Sequence, residues 1–139
     1  MSVERTREVM DRYWDSGHQD LSMMADDVVF TAMATGEEHR GPAAVRQMLD
    51  YVYHVAFDAH AETVSRIYSE RQAVIEGFLV GKHIGEFAGV PATGRSVRVP
   101  LCVVYDLEEA RVVRARVYLE TPALFKQLGV DAGAAAATR

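Results

Sequence analysis

The chain has 139 residues, 49% hydrophobic and 25% charged, with a formal net charge of −5. That is one domain of ordinary globular composition, which excludes disordered and fibrous classes. The acidic balance and the lack of a Lys/Arg cluster argue against a nucleic-acid partner, because such surfaces must neutralise phosphates.

No apolar run approaches the ~20 residues of a membrane span. The N-terminal MSVERTREVM lacks the apolar core of a signal peptide, so a cytoplasmic protein with no membrane partner is expected. The single Cys102 lies in the apolar run LCVVY and reads as a buried thiol.

In chain order, Val3, Met10, Tyr13 and Trp14 recur at helical spacing and predict a first helix over residues 3–16, stopped by Ser16-Gly17. Met10 and Tyr13 read as core. Trp14, large and carrying an N–H that needs a partner, reads as a cavity wall and a substrate-binding candidate. A helical turn is expected around Asp20–Met24, and a strand over Asp27–Thr31 with Asp26 and Asp27 as turn-capping residues. Residues 34–40 are polar, contain Gly36 and predict a loop. Gly41-Pro42 then opens a second helix ending near Val55, with proline where no amide hydrogen is required. Tyr53 on its apolar stripe is a further substrate-binding candidate.

Period-two alternation over residues 57–68 and 72–80, around the turn Ser69-Glu70-Arg71, predicts an antiparallel pair. The segment Gly81–Arg95, GKHIGEFAGVPATGR, breaks this pattern with closely spaced glycines and a proline, which impose local backbone geometry. His83 shares a strand face with Leu79 and Phe87, so it is a packed core residue or part of a pocket; Phe87 is a candidate for substrate contact. Strands follow over Ser96–Tyr105 and Arg111–Glu120. In the latter, Arg114, Arg116, Tyr118 and Glu120 are expected on one face and Val113, Ala115, Val117 and Leu119 on the other. Thr121-Pro122 leads into a short apolar helix through Leu124 and Leu128. Residues 1–130 form a single domain, and Asp131–Arg139 an Ala-rich mobile tail.

Helices followed by a run of strands predict an α+β domain in which a curved antiparallel sheet wraps around the N-terminal helices as a cone. Such a cone leaves a pocket for a hydrophobic small molecule with a few placed polar groups. The five histidines show no metal-ligand spacing, and no metal and no cofactor are expected. Exposure of Val113 and Val117 on an open sheet face predicts a homodimer.

The phrase GKHIGEFAGVPATGR, followed by RVYLE and LFKQLGV, resembles the SnoaL-like polyketide cyclase and ester cyclase group of the NTF2-like (cystatin-like) superfamily. Asp27-Val28-Val29-Phe30 and Gly41-Pro42-Ala43-Ala44-Val45 extend the resemblance over nearly the whole chain. It implies an NTF2-like cone and a cofactor-independent lyase- or isomerase-type reaction, such as intramolecular aldol cyclisation of a polyketide-like carbonyl compound. In that group an aspartate at the end of the last long strand is the general acid/base; here the position is Glu120. His83 matches the family's G-x-H-x-G histidine. The family's frequent histidine near Arg114–Val117 is absent.

The chemistry of ring closure asks for a base to take a carbon-bound proton and a donor to meet the oxyanion. A carboxylate in an apolar pocket suits the first role; Glu120 and His83 are the catalytic candidates, with Tyr118 a phenolic donor and substrate contact. Two alternatives stay open. One is a binding or accessory protein in which an arginine neutralises Glu120. The other is an epoxide hydrolase or hydratase drawing on Asp27 and Glu62.

Overall fold

A computed structural model describes residues 1–130. Helix α1, Val3–Asp15, is N-capped by Ser2, whose hydroxyl accepts the Arg5 N–H at 3.0 Å. Strand β1, Met24–Ala32, forms a hairpin with β2, Glu37–Arg40. Helix α2, Pro42–Asp50, runs into a π-helical segment, Tyr51–Ala56. Four long strands follow: β3 Phe57–Tyr68, β4 Gln72–His83, β5 Ser96–Glu108 and β6 Arg111–Leu119. Helix α3, Thr121–Gln127, closes the described chain.

The six strands form one curved, unclosed sheet in the order β2-β1-β6-β5-β4-β3. The α+β cone is as expected, with two differences in the sheet. Strand β1 pairs in parallel with β6, so the sheet is mixed. Residues 37–40, expected as loop, form β2; EEHR has no apolar alternation, and its edge position against β1 supplies the pairing instead. Asp26 and Asp27 sit inside β1, exposed, where the register shifts between Met24 and Val29. The helical turn expected near Asp20 is a non-helical connection, and the second helix is π-helical over its last six residues. The mobile tail expected over 131–139 lies outside the described residues.

The core has two parts. One lies under α1 and gathers Met10, Tyr13, Trp14, Met24, Val28, Phe30, Tyr105 and Val112. The other lies under α3 and gathers Phe57, Leu79, Val97, Val99, Leu124 and Phe125. Strand β6 carries a bulge: Asp106 pairs with Arg114 and Leu107 with Val112, which leaves Val113 unpaired. Val112 and Ala115 therefore both face inward and are fully buried, while Val117 and Leu119 face the cone. Val113 and Val117 do not form the exposed apolar face expected of them. The large apolar side chains left exposed near the sheet's outer face are Val64, Ile67 and Tyr118.

A candidate active site in the cone

The concave face of the sheet, α1, α2 and the π-helical segment enclose a cavity of about 650 Å³. Its wall is mostly apolar, with Phe30, Leu49, Ile75, Val103, Val117 and Leu119 among its lining residues. Among the described residues, no lysine or arginine lines it. Glu62 and Phe78 contribute as strand wall, because their side chains meet Arg98 on the outer face: Arg98 bonds Glu62 at 2.7 Å and sits 3.6 Å from the Phe78 ring centroid.

Polar groups gather at the end beneath α1, and a local chain geometry puts them there. Ser16 ties off α1: its hydroxyl donates to the Tyr13 carbonyl at 2.6 Å and accepts the Gln19 and Asp20 N–H groups at 3.1 and 2.9 Å. Gly17 and His18 are then both left-handed, with φ of 65° and 66°. A left-handed histidine is uncommon and strained. Here it turns the imidazole back over the helix end, edge-on to Tyr13 with centroids 5.0 Å apart.

Burial raises the Tyr13 phenol pKa well above its usual value, with Tyr105 and Tyr53 adding to the shift. It pushes Tyr53 up to about 12 and raises Tyr105 as well. All three phenols therefore keep their protons at neutral pH. Burial also lowers the His18 pKa to about 4, assisted by Arg66 and opposed by the Gly17 carbonyl, so its ring is uncharged. Among the described residues, neither the fully buried Tyr13 hydroxyl nor Trp14 Nε1 has a hydrogen-bond partner, and the Tyr105 hydroxyl lies beside both. Leaving such a donor unmatched costs roughly 1–3 kcal/mol. A ligand oxygen at the Tyr13 hydroxyl would recover that.

At the rim, β2 presents Glu37 and His39 to the cavity. They pair with Ala32 and Phe30 of β1, both of which also line it. Gln47 of α2, Tyr51 of the π-helical segment, Phe87 and Ala88 of the β4–β5 loop and Thr121 of α3 complete the opening.

The structure places the sequence candidates as follows. Tyr53 and Phe87 line the cavity. Trp14 lies in the core under α1, its ring 5.7 Å from Tyr105 and beneath the Arg66 guanidinium. Tyr118 is 44% exposed on the outer face of β6. Glu120 is exposed at the start of α3 and does not line the cavity. His83 is fully buried at the end of β4, also off the cavity wall, against Phe57. Nor do these two meet each other. The Glu120 N–H bonds Pro100, which pairs with Phe78, five positions from His83 along β4. That is roughly 17 Å along the strand. Asp27 is exposed on β1 and absent from the wall.

Tyr13, His18, Glu37 and His39 emerge only from the structure as polar residues of the cavity. For His18 a signal existed, namely its place directly after the Ser16-Gly17 helix stop. Among the described residues, no group of three or more His, Cys, Asp or Glu could hold a metal ion. Nor is any helix among them long and apolar enough to cross a membrane.

Comparison with solved structures gives the same architecture. A chain assigned as a SnoaL-like polyketide cyclase from Jannaschia sp. CCS1 superposes with a TM-score of 0.79 at 18% identity, covering 90% of this chain and 92% of that one. A SnoaL-like polyketide cyclase from Agrobacterium tumefaciens C58 gives 0.74 at 25% identity, with coverage of 89% and 98%. An NTF2-like protein from Burkholderia xenovorans LB400 gives 0.72 at 16% identity, with coverage of 92% and 98%. No curated protein matches the sequence. The family model of the SnoaL-like polyketide cyclases matches residues 4–128, and the chain, an NTF2-like cone over that same span, belongs to this family.

Proposed function

We propose that the chain is a cyclase or isomerase that enolises an apolar carbonyl compound by acid–base chemistry. The observation that carries this reading is the unpartnered Tyr13 hydroxyl beside the uncharged His18 ring, at the closed end of an apolar cavity. Two neutral hydrogen-bonding groups in a water-poor site suit a carbonyl oxygen that gains negative charge during reaction. Glu37, the carboxylate whose strand face is shared with the cavity, takes the proton from the carbon next to the carbonyl. The electron pair moves to the oxygen held by Tyr13 and His18. The resulting enolate carbon then attacks a second carbonyl, closing a ring, or is reprotonated at another carbon. In either case the protonated Glu37 returns the proton.

Deuterium uptake by 2-tetralone in D2O, followed by proton NMR, tests the enolisation step without knowledge of the natural substrate. The protein should accelerate exchange at the carbons flanking the carbonyl, and Tyr13→Phe and Glu37→Gln should each slow it. Binding of an apolar ligand with no exchange at all would favour the accessory-protein reading, which is consistent with the absence of a buried carboxylate from the wall among the described residues.

The outer face of the sheet, with Ile67 and Tyr118 exposed, is the surface proposed for a second copy. Light scattering at twice the chain mass of 15.4 kDa would support that assembly.

A further inference from the structure

The β4–β5 loop is tied down at its root by one side chain. His83, with none of its surface exposed, accepts the Thr93 backbone N–H at Nδ1, 3.1 Å away. The Thr93 hydroxyl also lies 3.0 Å from Nδ1, and its oxygen accepts the Arg95 N–H at 3.2 Å. An Nδ1 that accepts carries no proton, so the neutral ring holds its proton on Nε2. Main-chain bonds close the same clasp, from His83 N–H to the Arg95 carbonyl and from Gly94 N–H to the His83 carbonyl, each 2.9 Å.

Three parts of the cavity rim hang from this clasp. The imidazole packs on Phe57 at 5.1 Å, and Phe57 packs edge-on to Phe87 at 5.2 Å. Phe87 and Ala88 line the cavity from a tight tip in which Ala88 and Gly89 are both left-handed, with φ of 49° and 81°. The Glu86 carbonyl accepts the Tyr51 hydroxyl, which joins the tip to the π-helical segment. At the other end Arg95 reaches the Gln127 carbonyl on α3, the helix that contributes Thr121 and Phe125 to the wall.

We infer that His83 is a positioning residue for the ligand: its neutral imidazole, by accepting the Thr93 N–H, sets the placement of Phe87 and Tyr51 at the cavity rim and hence ligand affinity. This rests on the reading of the cavity as the ligand site. Protonation would put an N–H at Nδ1 directly against the Thr93 N–H, donor facing donor, leaving the Thr93 hydroxyl as the acceptor at that nitrogen and loosening the clasp. Burial accordingly lowers the His83 pKa, with the nearby Gly85 carbonyl opposing the shift. The charged side chains nearest in register on the surrounding elements include Asp58 and Glu62 on β3, Lys82 on β4, Glu86 and Arg95 on the loop, Arg98 on β5 and Lys126 on α3. All are exposed, and none bonds the ring.

The test is binding of the neutral fluorophore N-phenyl-1-naphthylamine to wild type, His83→Asn and His83→Leu at pH 7.5 and pH 5, with folding checked by circular dichroism. Asparagine places an amide oxygen near the Nδ1 position and does not titrate; leucine offers no acceptor. At pH 7.5, H83L should bind about tenfold more weakly than wild type, the equivalent of one lost hydrogen bond. H83N should stay within about twofold of wild type. At pH 5 wild type should lose affinity relative to H83N, since any contribution from His18 is common to both. The inference fails if H83L binds as wild type does, if H83N is as weak as H83L, or if wild type and H83N fall equally with acid. Should H83L not fold, the pH comparison between wild type and H83N decides alone. Absence of probe binding by wild type overturns the cavity reading and this inference together; wild-type binding unchanged by H83L overturns this inference only.

Discussion

The imidazole of His18 lies nearly parallel to the ring of Tyr53, with centroids 5.2 Å apart and planes inclined by 19°. Tyr53 comes from the π-helical segment and His18 from the turn after α1, so the stack joins two elements across the closed end of the cone. With Tyr13 edge-on at 5.0 Å, the imidazole is gripped on a face and an edge.

Tyr13 trades stability for function. Tyr13→Phe removes a buried hydroxyl that has no partner, so unfolding in denaturant should show a gain of about 1 kcal/mol. The same variant should bind 2-tetralone about tenfold more weakly, the cost of one hydrogen bond to the ketone oxygen. A loss of stability would mean that the hydroxyl is satisfied within the protein.

His18 makes the fold acid-sensitive. Its folded pKa of about 4 lies below the ordinary 6.5, so the unfolded chain takes up a proton first as pH falls. Stability from this residue is intact above pH 6.5 and lost as the pH falls towards 4, reaching roughly 3 kcal/mol at 1.36 kcal/mol per unit. His18→Asn tolerates the left-handed backbone and should flatten that part of the pH–stability curve. His18→Val should flatten it too but lose about a further 1–2 kcal/mol at every pH, because a β-branched residue resists positive φ.

Glu37 and Glu120 make opposite predictions. Glu37→Gln should slow deuterium exchange of 2-tetralone about a hundredfold, the lower range for a general base. Glu120→Gln should leave the rate within about twofold, since Glu120 is exposed and off the cavity wall. Loss of exchange in E120Q with E37Q unaffected would return the chemistry to the end of β6.

Gly77 is fixed by contact. A Cβ there would stand 2.0 Å from the Glu62 carbonyl oxygen across the β3–β4 pair, and backbone cannot move aside cheaply. Gly77→Ala should cost about 3 kcal/mol in denaturant unfolding. Gly36→Ala, with open space but φ of +79°, should cost only about 1 kcal/mol.

The fold was legible because its signals are local: a capped amphipathic helix, Gly41-Pro42, period-two strands and the glycine-rich phrase after β4. Tyr53 could be found on the wall because it sits on a helix face whose direction its neighbours already define, whereas Phe87 reaches the wall from the loop after β4 and not from the strand face it was expected to share with His83. The closed end could not be read in the same way. His18 reaches it through two consecutive left-handed residues, and Glu37 and His39 through an edge strand too short and polar to show alternation. Glu120 suited the chemistry by residue type and motif position, but side-chain direction past the last paired residue of a strand is not written in the sequence. Parallel pairing of β1 with β6 depends on contacts between segments some eighty positions apart.

The bulge at Val113 decides what kind of molecule the cone can hold. Strand β6 contains Arg111, Arg114 and Arg116, yet it offers the cavity only Val117 and Leu119. If Val113 were paired in strict alternation instead of bulged, either Val112 would leave the core or the arginine-bearing face would rotate into the cone. Arg116, which now bonds Asp106 on the outer face at 2.7 Å, would then meet the ligand. The apolar character of this wall is a matter of phase along one strand: the bulge absorbs one residue, and pairing that residue regularly would turn arginines towards the ligand.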